Sequence, residues 1–395
     1  ITTGPKVQKF ESDFAQYTKS PYAIAVNSAT SGLHLAYLAA GIKPGDEIIT
    51  SPVTFISTVS MMLAARAKPV LADVNPATLN IDPDEIERRI TRRTRAIVPV
   101  HFAGLPCDMD RIRAIASKHR LKIIEDAAHA LGTEYKGHII GSISDATVFS
   151  FHPIKNITTG EGGMITTANR KWADQMTLQR FHGMSKTAWK RYTKTGSPLY
   201  DISTLGYKYN MMDIQAALGI HQLARLEKLN RVRETWAQIY RNEFNTLDGV
   251  RIQQFPDYAF KHCWHLFVMM VDSTRLKIGR DEFIQEMSRR NIGTGVHFTA
   301  VHRHSHYRKL FTPAERRLPH ANRISDSILS LPLYPGMTRE DVQDVVDGVD
   351  ELLGERGDVR LDVALETDLV RAVLLVDRHL DVHAGPRHPS RDGAH

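Results

Sequence analysis

Three short runs of this chain carry side chains that could share one reaction. The first is Ser150-Phe151-His152-Pro153-Ile154-Lys155-Asn156-Ile157-Thr158-Thr159-Gly160-Glu161-Gly162-Gly163. Residues 146–151 read as a strand that ends in a polar loop with a single lysine, and the chain returns as a strand over 164–167 after glycines that permit tight turns. A lysine amine near apolar or cationic groups loses basicity, and its neutral form attacks carbonyl carbon. Taken alone, such a lysine is more often a solvated surface residue. The second run, Glu125-Asp126-Ala127-Ala128-His129-Ala130, closes a buried strand. A carboxylate there can keep a ring nitrogen protonated, or it can simply cap the next helix. The third, Asn27-Ser28-Ala29-Thr30-Ser31-Gly32-Leu33-His34, stands directly before an amphipathic helix. Hydroxyls and N–H groups at a helix N-terminus bind phosphate, and they serve equally as a plain N-cap.

Periodicity predicts the elements that must position these runs. Helical spacing covers residues 31–41, with Gly41 as a natural stop, and recurs over 56–65, 84–90 and 109–119. Strand patterns occupy 47–50, 69–74, 95–100 and 121–126. This β-α-β-α rhythm predicts an α/β fold with a mainly parallel sheet flanked by helices, whose ligands gather beyond the carboxyl ends of the strands. A long helix over 212–247 follows, and then the pattern becomes mixed: strand-like 264–272, helix 280–290, strand-like 293–298 and helix 339–353. The shift predicts a large domain over 1–247 and a smaller α+β domain over 248–353. In the tail, 354–395, residues 358–380 could form one more helix, and the His-, Arg-, Gly- and Pro-rich end reads as disordered.

Composition narrows the function classes. At 395 residues the chain is long enough for two cores. No apolar run is long enough to span a membrane. The two cysteines, Cys107 and Cys263, have neither a CxxC nor a zinc spacing, so they read as structural thiols in a reducing cytoplasm, with no metal site. A formal charge of +7 suits an anionic partner. The basic residues are scattered: Arg88-Arg89 and Arg92-Arg93 sit among Asp and Glu on an expected helix rather than in a stripe with aromatics, which argues against nucleic acid. The chain opens on Ile1-Thr2-Thr3-Gly4-Pro5 without an initiator Met and reads as starting inside a longer sequence.

In this order and at these separations, the three runs resemble the sugar-aminotransferase branch of the fold-type I pyridoxal-phosphate enzymes, the DegT/DnrJ/StrS family. The resemblance covers residues 1–353 and takes in Gly45-Asp46-Glu47-Ile48-Ile49, Pro52-Val53-Thr54-Phe55, Pro99-Val100-His101-Phe102-Ala103-Gly104 and Gly206-Tyr207-Lys208-Tyr209-Asn210. It implies pyridoxal 5'-phosphate as cofactor and Lys155 as the Schiff-base lysine, acting as general base and acid. Asp126 is then the partner of the pyridine nitrogen, and His129 contacts the cofactor near its ring hydroxyl. Thr30, Ser31 and Ser150 are implied as phosphate ligands, and Phe55 as the aromatic stacked on the ring. Asn210 matches an Asn that reaches the phosphate from the neighbouring subunit, which implies a homodimer with a shared active site.

Within the family the closest resemblance is to members that aminate C4 of a UDP-linked 4-keto-pentose, as used in lipid A modification, with glutamate as the expected donor. It rests on the lysine loop, Phe181-His182-Gly183, Tyr207-Lys208-Tyr209-Asn210, and Ile292-Gly293-Thr294-Gly295-Val296-His297-Phe298 followed by His302 and Tyr307-Arg308. His302 and Arg308 are the candidates for diphosphate or sugar contact. Thr299, where these members usually carry a basic residue, and Pro153, in place of a small one, depart from the pattern. UDP-linked 4-keto-6-deoxyhexosamines compete as substrates. So does a free cyclic ketone, which would need no nucleotide pocket. A non-catalytic, cofactor-binding regulator is the third class, and the presence of Lys155 and Asp126 argues against it.

Overall fold

Short apolar runs alternating with amphipathic ones build a helix-flanked sheet in the computed structural model, which describes residues 2–184 and 201–356. The strands in chain order are β1 (Tyr22–Val26), β2 (Glu47–Thr50), β3 (Lys68–Leu71), β4 (Thr94–Val98), β5 (Lys122–Asp126), the short hairpin β6 (Glu134–Tyr135) and β7 (His138–Ile139), β8 (Ala146–Ser150) and β9 (Gly163–Thr167). Seven of them form one sheet in the order β1-β9-β8-β5-β4-β2-β3. Strand β9 runs antiparallel to both of its neighbours, and the pairings from β8 through β5, β4 and β2 to β3 are parallel. The mainly parallel sheet expected from the sequence is therefore present. Its parallel strands point their carboxyl ends to one side.

Helices α1 (Pro5–Thr18), α2 (Ala29–Ala39), α3 (Ser57–Ala64), α4 (Pro83–Arg89), α5 (Met109–His119), α6 (Arg170–Gln179) and the 32-residue α7 (Asp213–Phe244) belong with this sheet. Helix α1 was not legible as an element in the pattern, yet Val7, Phe10 and Phe14 lie on its buried side. Phe10 and Phe14 close on Phe151 and Phe149 with ring centroids 5.3 and 5.1 Å apart. A Cβ on Gly219 of α7 would lie 2.6 Å from the Phe10 ring, so this glycine lets the two helices meet. Burying side chains of this size is worth roughly 1.5–3 kcal/mol each. Helix α2 ends as expected: Gly41 has φ 74°, its N–H donates to the Leu38 carbonyl, and that of Ile42 donates to Tyr37.

The second, smaller layer contains β10 (Val250–Ile252), β11 (Phe260–Lys261), β12 (Phe267–Val271), α8 (Ser273–Leu276), α9 (Arg280–Arg289), α10 (Ser305–Arg308), α11 (Pro319–Ser327), β13 (Ile328–Leu331) and α12 (Arg339–Arg356). Strands β10, β12 and β13 form a three-stranded antiparallel sheet, while β11 pairs with β6. Tyr240 and Phe244 from the end of α7 pack into the core of this layer with Phe267, Phe283 and Leu329. The strand expected over 293–298 is not one: Gly295 makes a single bridge to Ser330, and the rest is irregular backbone. Two glycines in six residues weaken strand pairing there. The helix expected over 358–380 and the polar end of the tail lie outside the described residues. Among the described residues no helix is long and apolar enough to cross a membrane. Cys107 and Cys263 are both free and buried.

Candidate active site

Strands β1, β2, β4, β5 and β8 deliver their following residues to one cavity of about 270 Å³. From β1 come Ser28, Ala29 and Thr30 at the start of α2, and from β2 come Thr54, Phe55 and Ser57. Val100 follows β4, Asp126 and His129 close β5, and Ser150, His152, Ile154 and Lys155 follow β8. His297 and Phe298 of the irregular segment complete the wall with Glu161.

The first turn of α2 lines this cavity, and its cap is internally satisfied. Ser28 Oγ accepts from the Ser31 N–H at 3.1 Å, and the Ser31 hydroxyl turns away to Asn27 Oδ1 at 2.5 Å. The amides of Ala29 and Thr30 belong to the first turn, which has no intrahelical acceptor for them. Gly163 at the start of β9 lies against this turn, where a Cβ would meet the Ser28 carbonyl carbon at 2.6 Å and the Ala29 nitrogen at 2.7 Å. Gly163→Ala is therefore expected to shift the helix start, weaken phosphate-containing ligands and cost about 1–3 kcal/mol of stability. Thermal unfolding and equilibrium dialysis with pyridoxal phosphate measure the two effects.

Asp126 is buried, and each carboxylate oxygen has a fixed donor. Thr58 Oγ1 donates to Oδ2 at 2.7 Å, and the Ala128 N–H donates to Oδ1 at 3.1 Å. Burial raises the carboxyl above its usual range, and the Thr58 and Ala128 hydrogen bonds oppose that rise. Below Asp126, Glu125 accepts from His101 Nε2 at 2.7 Å and from Thr147 at 2.9 Å, so the pair of acids is split into one lining the cavity and one locked in the sheet. Thr58→Val removes a donor to the charged form, so the Asp126 carboxyl rises further. The acid limb of cofactor binding should then move to higher pH, a shift read from binding titrations between about pH 4 and 7.

Lys155 is partly buried, and burial pushes its amine down to about 8 against the opposing pull of Asp126. His129 accepts the Ala103 N–H on Nδ1 at 3.3 Å, which leaves its proton on Nε2. Burial holds this imidazole well below its ordinary range. Its ring stacks on Phe298 at 5.6 Å and meets the ring of His265 at 4.4 Å. His265 Nε2 stands 3.5 Å from Lys155 Nζ. His297 is likewise pushed down, to about 4, by burial and then by Lys155.

Not every residue picked from the sequence lines the cavity. Thr30, Phe55, Asp126, His129, Ser150 and Lys155 do. Phe55 is exposed at the mouth, 6.1 Å from the Phe298 ring. Ser31 serves the cap instead. Asn210 bridges to Val26 and donates to Thr2 and Thr3 while accepting from Lys208 at 2.6 Å, and it does not line its own chain's cavity. His302 is buried and donates to Asn322 Oδ1 at 2.8 Å, and Arg308 is exposed on α10; neither lines the cavity. Thr58, His265 and His297 were not picked out. Thr58 comes from a helix face, His265 from the link before β12, and His297 from a run quoted for the resemblance without this histidine being singled out.

A mainly parallel sheet whose carboxyl ends gather a lysine, a buried aspartate and a helix N-terminus defines a class, the fold-type I aminotransferases. Comparison with known proteins agrees. The profile of the DegT/DnrJ/EryC1/StrS aminotransferase family matches residues 1–350. The spore coat polysaccharide biosynthesis protein SpsC of Bacillus subtilis (strain 168) is 48% identical over 354 residues, covering 89% of this chain and 91% of that protein. Spr1654 of Streptococcus pneumoniae in its PMP form superposes with a TM-score of 0.84 at 32% identity, over 90% of this chain and 93% of that one. PseC of Helicobacter pylori, an aminotransferase involved in the biosynthesis of pseudoaminic acid, gives 0.82 at 29% identity over 90% and 92%. The chain belongs to the DegT/DnrJ/EryC1/StrS aminotransferase family. It is a pyridoxal-phosphate-dependent enzyme of the sugar aminotransferases. The cavity suits that cofactor: a buried carboxylate, an amine of lowered basicity and a helix start kept open by Gly163 line one space.

Proposed function

We propose that this enzyme moves an amino group from L-glutamate to the C4 keto carbon of a nucleotide-linked sugar of the UDP-4-keto-pentose type. The observation that carries the transamination reading is the convergence of Lys155, Asp126 and the N-terminus of α2 on one cavity. When bound, pyridoxal phosphate supplies an electrophilic carbonyl and a ring that absorbs electrons. Lys155 is the group that attacks and, once released, holds or delivers a proton at Nζ; an amine near 8 suits both tasks around neutral pH. Asp126, fixed by Thr58 and Ala128, offers a negative charge to the protonated ring nitrogen. His129, with its proton on Nε2, would offer it to the ring hydroxyl. Thr30 and Ser150, with the first amides of α2, would hold phosphate. Phe55 covers the mouth.

The sugar assignment rests on the runs from Phe181 to Gly183 and from Ile292 to Phe298, with His302 and Arg308 as outer contacts. A second subunit fits this picture. Ile202, Leu205, Ile214 and Leu218 are exposed on either side of Asn210 in sequence, which supports an interface that carries Asn210 toward the partner's phosphate site. The substrate is tested with the pyridoxamine form of the purified protein. UDP-4-keto-pentose should return the pyridoxal spectrum faster than UDP-4-keto-6-deoxyhexosamine, and a free cyclic ketone should fail. A faster response to the hexosamine sugar, or to the free ketone, replaces the substrate assignment.

A further inference from the structure

The main-chain carbonyls of Leu131 and Cys263 fix the state of a histidine that faces the reacting amine. Asn230 of α7 donates from Nδ2 to the Leu131 carbonyl at 3.1 Å, which turns its Oδ1 toward Asn156. Asn156 Nδ2 donates to that Oδ1 at 2.7 Å and to the Cys263 carbonyl at 2.8 Å. Both acceptors demand the amide nitrogen, so Asn156 Oδ1 is left for His265 Nδ1 at 3.1 Å. An amide oxygen accepts only, so His265 carries its proton on Nδ1 and presents a bare Nε2 to Lys155 Nζ, 3.5 Å away. Gly132 seats the far end of this chain, since a Cβ there would lie 2.5 Å from Asn230 Nδ2. Asn156, Asn230 and His265 are all buried.

We propose that His265 is a positioning residue for Lys155: its Nε2 takes one N–H of the released amine and so turns the lone pair of Nζ toward the cavity. An imidazole locked in this tautomer can accept from lysine but cannot donate to it, so it never competes for the lone pair. The other groups around it keep it neutral. Burial, Lys155, His129, Arg233 and His297 all hold the His265 imidazole well below its ordinary range. Asp126 and Cys263 face Lys155 from the other elements, and both favour its charged form. Arg233 donates to the carbonyl of His265 at 3.3 Å, which fixes the backbone that carries the ring. The proposal rests on Lys155 being the reacting amine, but its labelling and spectroscopic tests need neither cofactor nor sugar.

The full chain freed of cofactor is labelled with trace acetic anhydride across a pH series, and acetylation of Lys155 is followed by peptide mass spectrometry. The wild type should give a midpoint near 8. His265→Phe removes an acceptor that favours the ammonium form, so its midpoint should fall by about one pH unit. His265→Gln, which can place a carbonyl oxygen at the Nε2 position, should return most of the shift. In the donor half-reaction of the loaded enzyme, His265→Phe should slow single turnover by about tenfold, with the glutamate concentration dependence little changed. A purely structural histidine would leave the labelling midpoint the same in all three proteins, and that result overturns the proposal. Long-range ¹H–¹⁵N spectra of histidine-labelled wild type need no stable variant. They should show Nδ1 protonated and Nε2 bare at neutral pH, and an Nε2-protonated or doubly protonated His265 overturns it equally.

Discussion

Lys155→Ala should leave a folded protein that binds pyridoxal phosphate without the visible band of the lysine-bound cofactor, and glutamate should not convert it at a measurable rate. Two functions are lost together: the amine that attacks and the base that moves the proton. General acid–base catalysis alone contributes on the order of 10²–10⁴-fold, and removal of the nucleophile adds to that. A fall in kcat of at least about 10⁴-fold is therefore expected. The pH dependence has a definite sign. Burial holds the folded-state amine near 8, below its ordinary value of 10.5, so the neutral amine forms as pH rises through 8. Acetylation of Lys155 in the cofactor-free protein should rise through the same range. Between those two values the unfolded chain binds more protons than the folded one, so the stability of the cofactor-free protein should rise with pH there. Below 8 the lysine weakens the fold, and Lys155→Met should raise the melting temperature at pH 7 with a gain that disappears toward pH 10.5.

Asp126→Asn should cost the next largest share of activity. The substitution keeps size and leaves an oxygen for Thr58 or Ala128, but it removes the charge that would keep a ring nitrogen protonated. Loss of one preorganised electrostatic partner costs on the order of 10²–10³-fold in kcat. The variant should still form the visible band with Lys155, because the amine is untouched, and glutamate should convert it slowly. In wild type, burial raises the Asp126 carboxyl, so the charged form needed here is lost as pH falls through that raised value. The acid limb of the rate should be absent in Asp126→Asn, and stopped-flow absorbance with glutamate from about pH 5 to 9 tests it. Retention of the limb would assign it to another group.

Much of this was readable from residue order because the site is built from strand ends. Met109 to His119 matched helix α5 at both ends: Asp108 caps its start, and Arg120 takes the left-handed conformation after it. Asp126, Ser150 and Lys155 follow strands whose apolar runs are plain, so their convergence follows from parallel topology. Helix α1 was harder, since its stop is Lys19 at φ 54° rather than glycine, and β1 is a run of only five residues. The segment 293–298 looked like a strand because apolar residues alternate in it, but its work is to bring His297 and Phe298 to the cavity. Thr58 meets Asp126 across 68 positions, and His265 meets Lys155 across 110. Pairings at such distances leave no periodicity behind. The same limit applies to Ser31, whose hydroxyl could equally have faced a phosphate; the cap geometry, visible only in space, turned it to Asn27.

If Lys155 carries the cofactor, reductive trapping will fix the two together. The purified holoenzyme is reduced with sodium borohydride, digested, and mapped by tandem mass spectrometry. A pyridoxyl phosphate adduct on Lys155 alone, abolished by prior conversion with glutamate, is the predicted result. An adduct on another lysine, or none in protein that binds the cofactor, would show that Lys155 is not the cofactor-bearing residue.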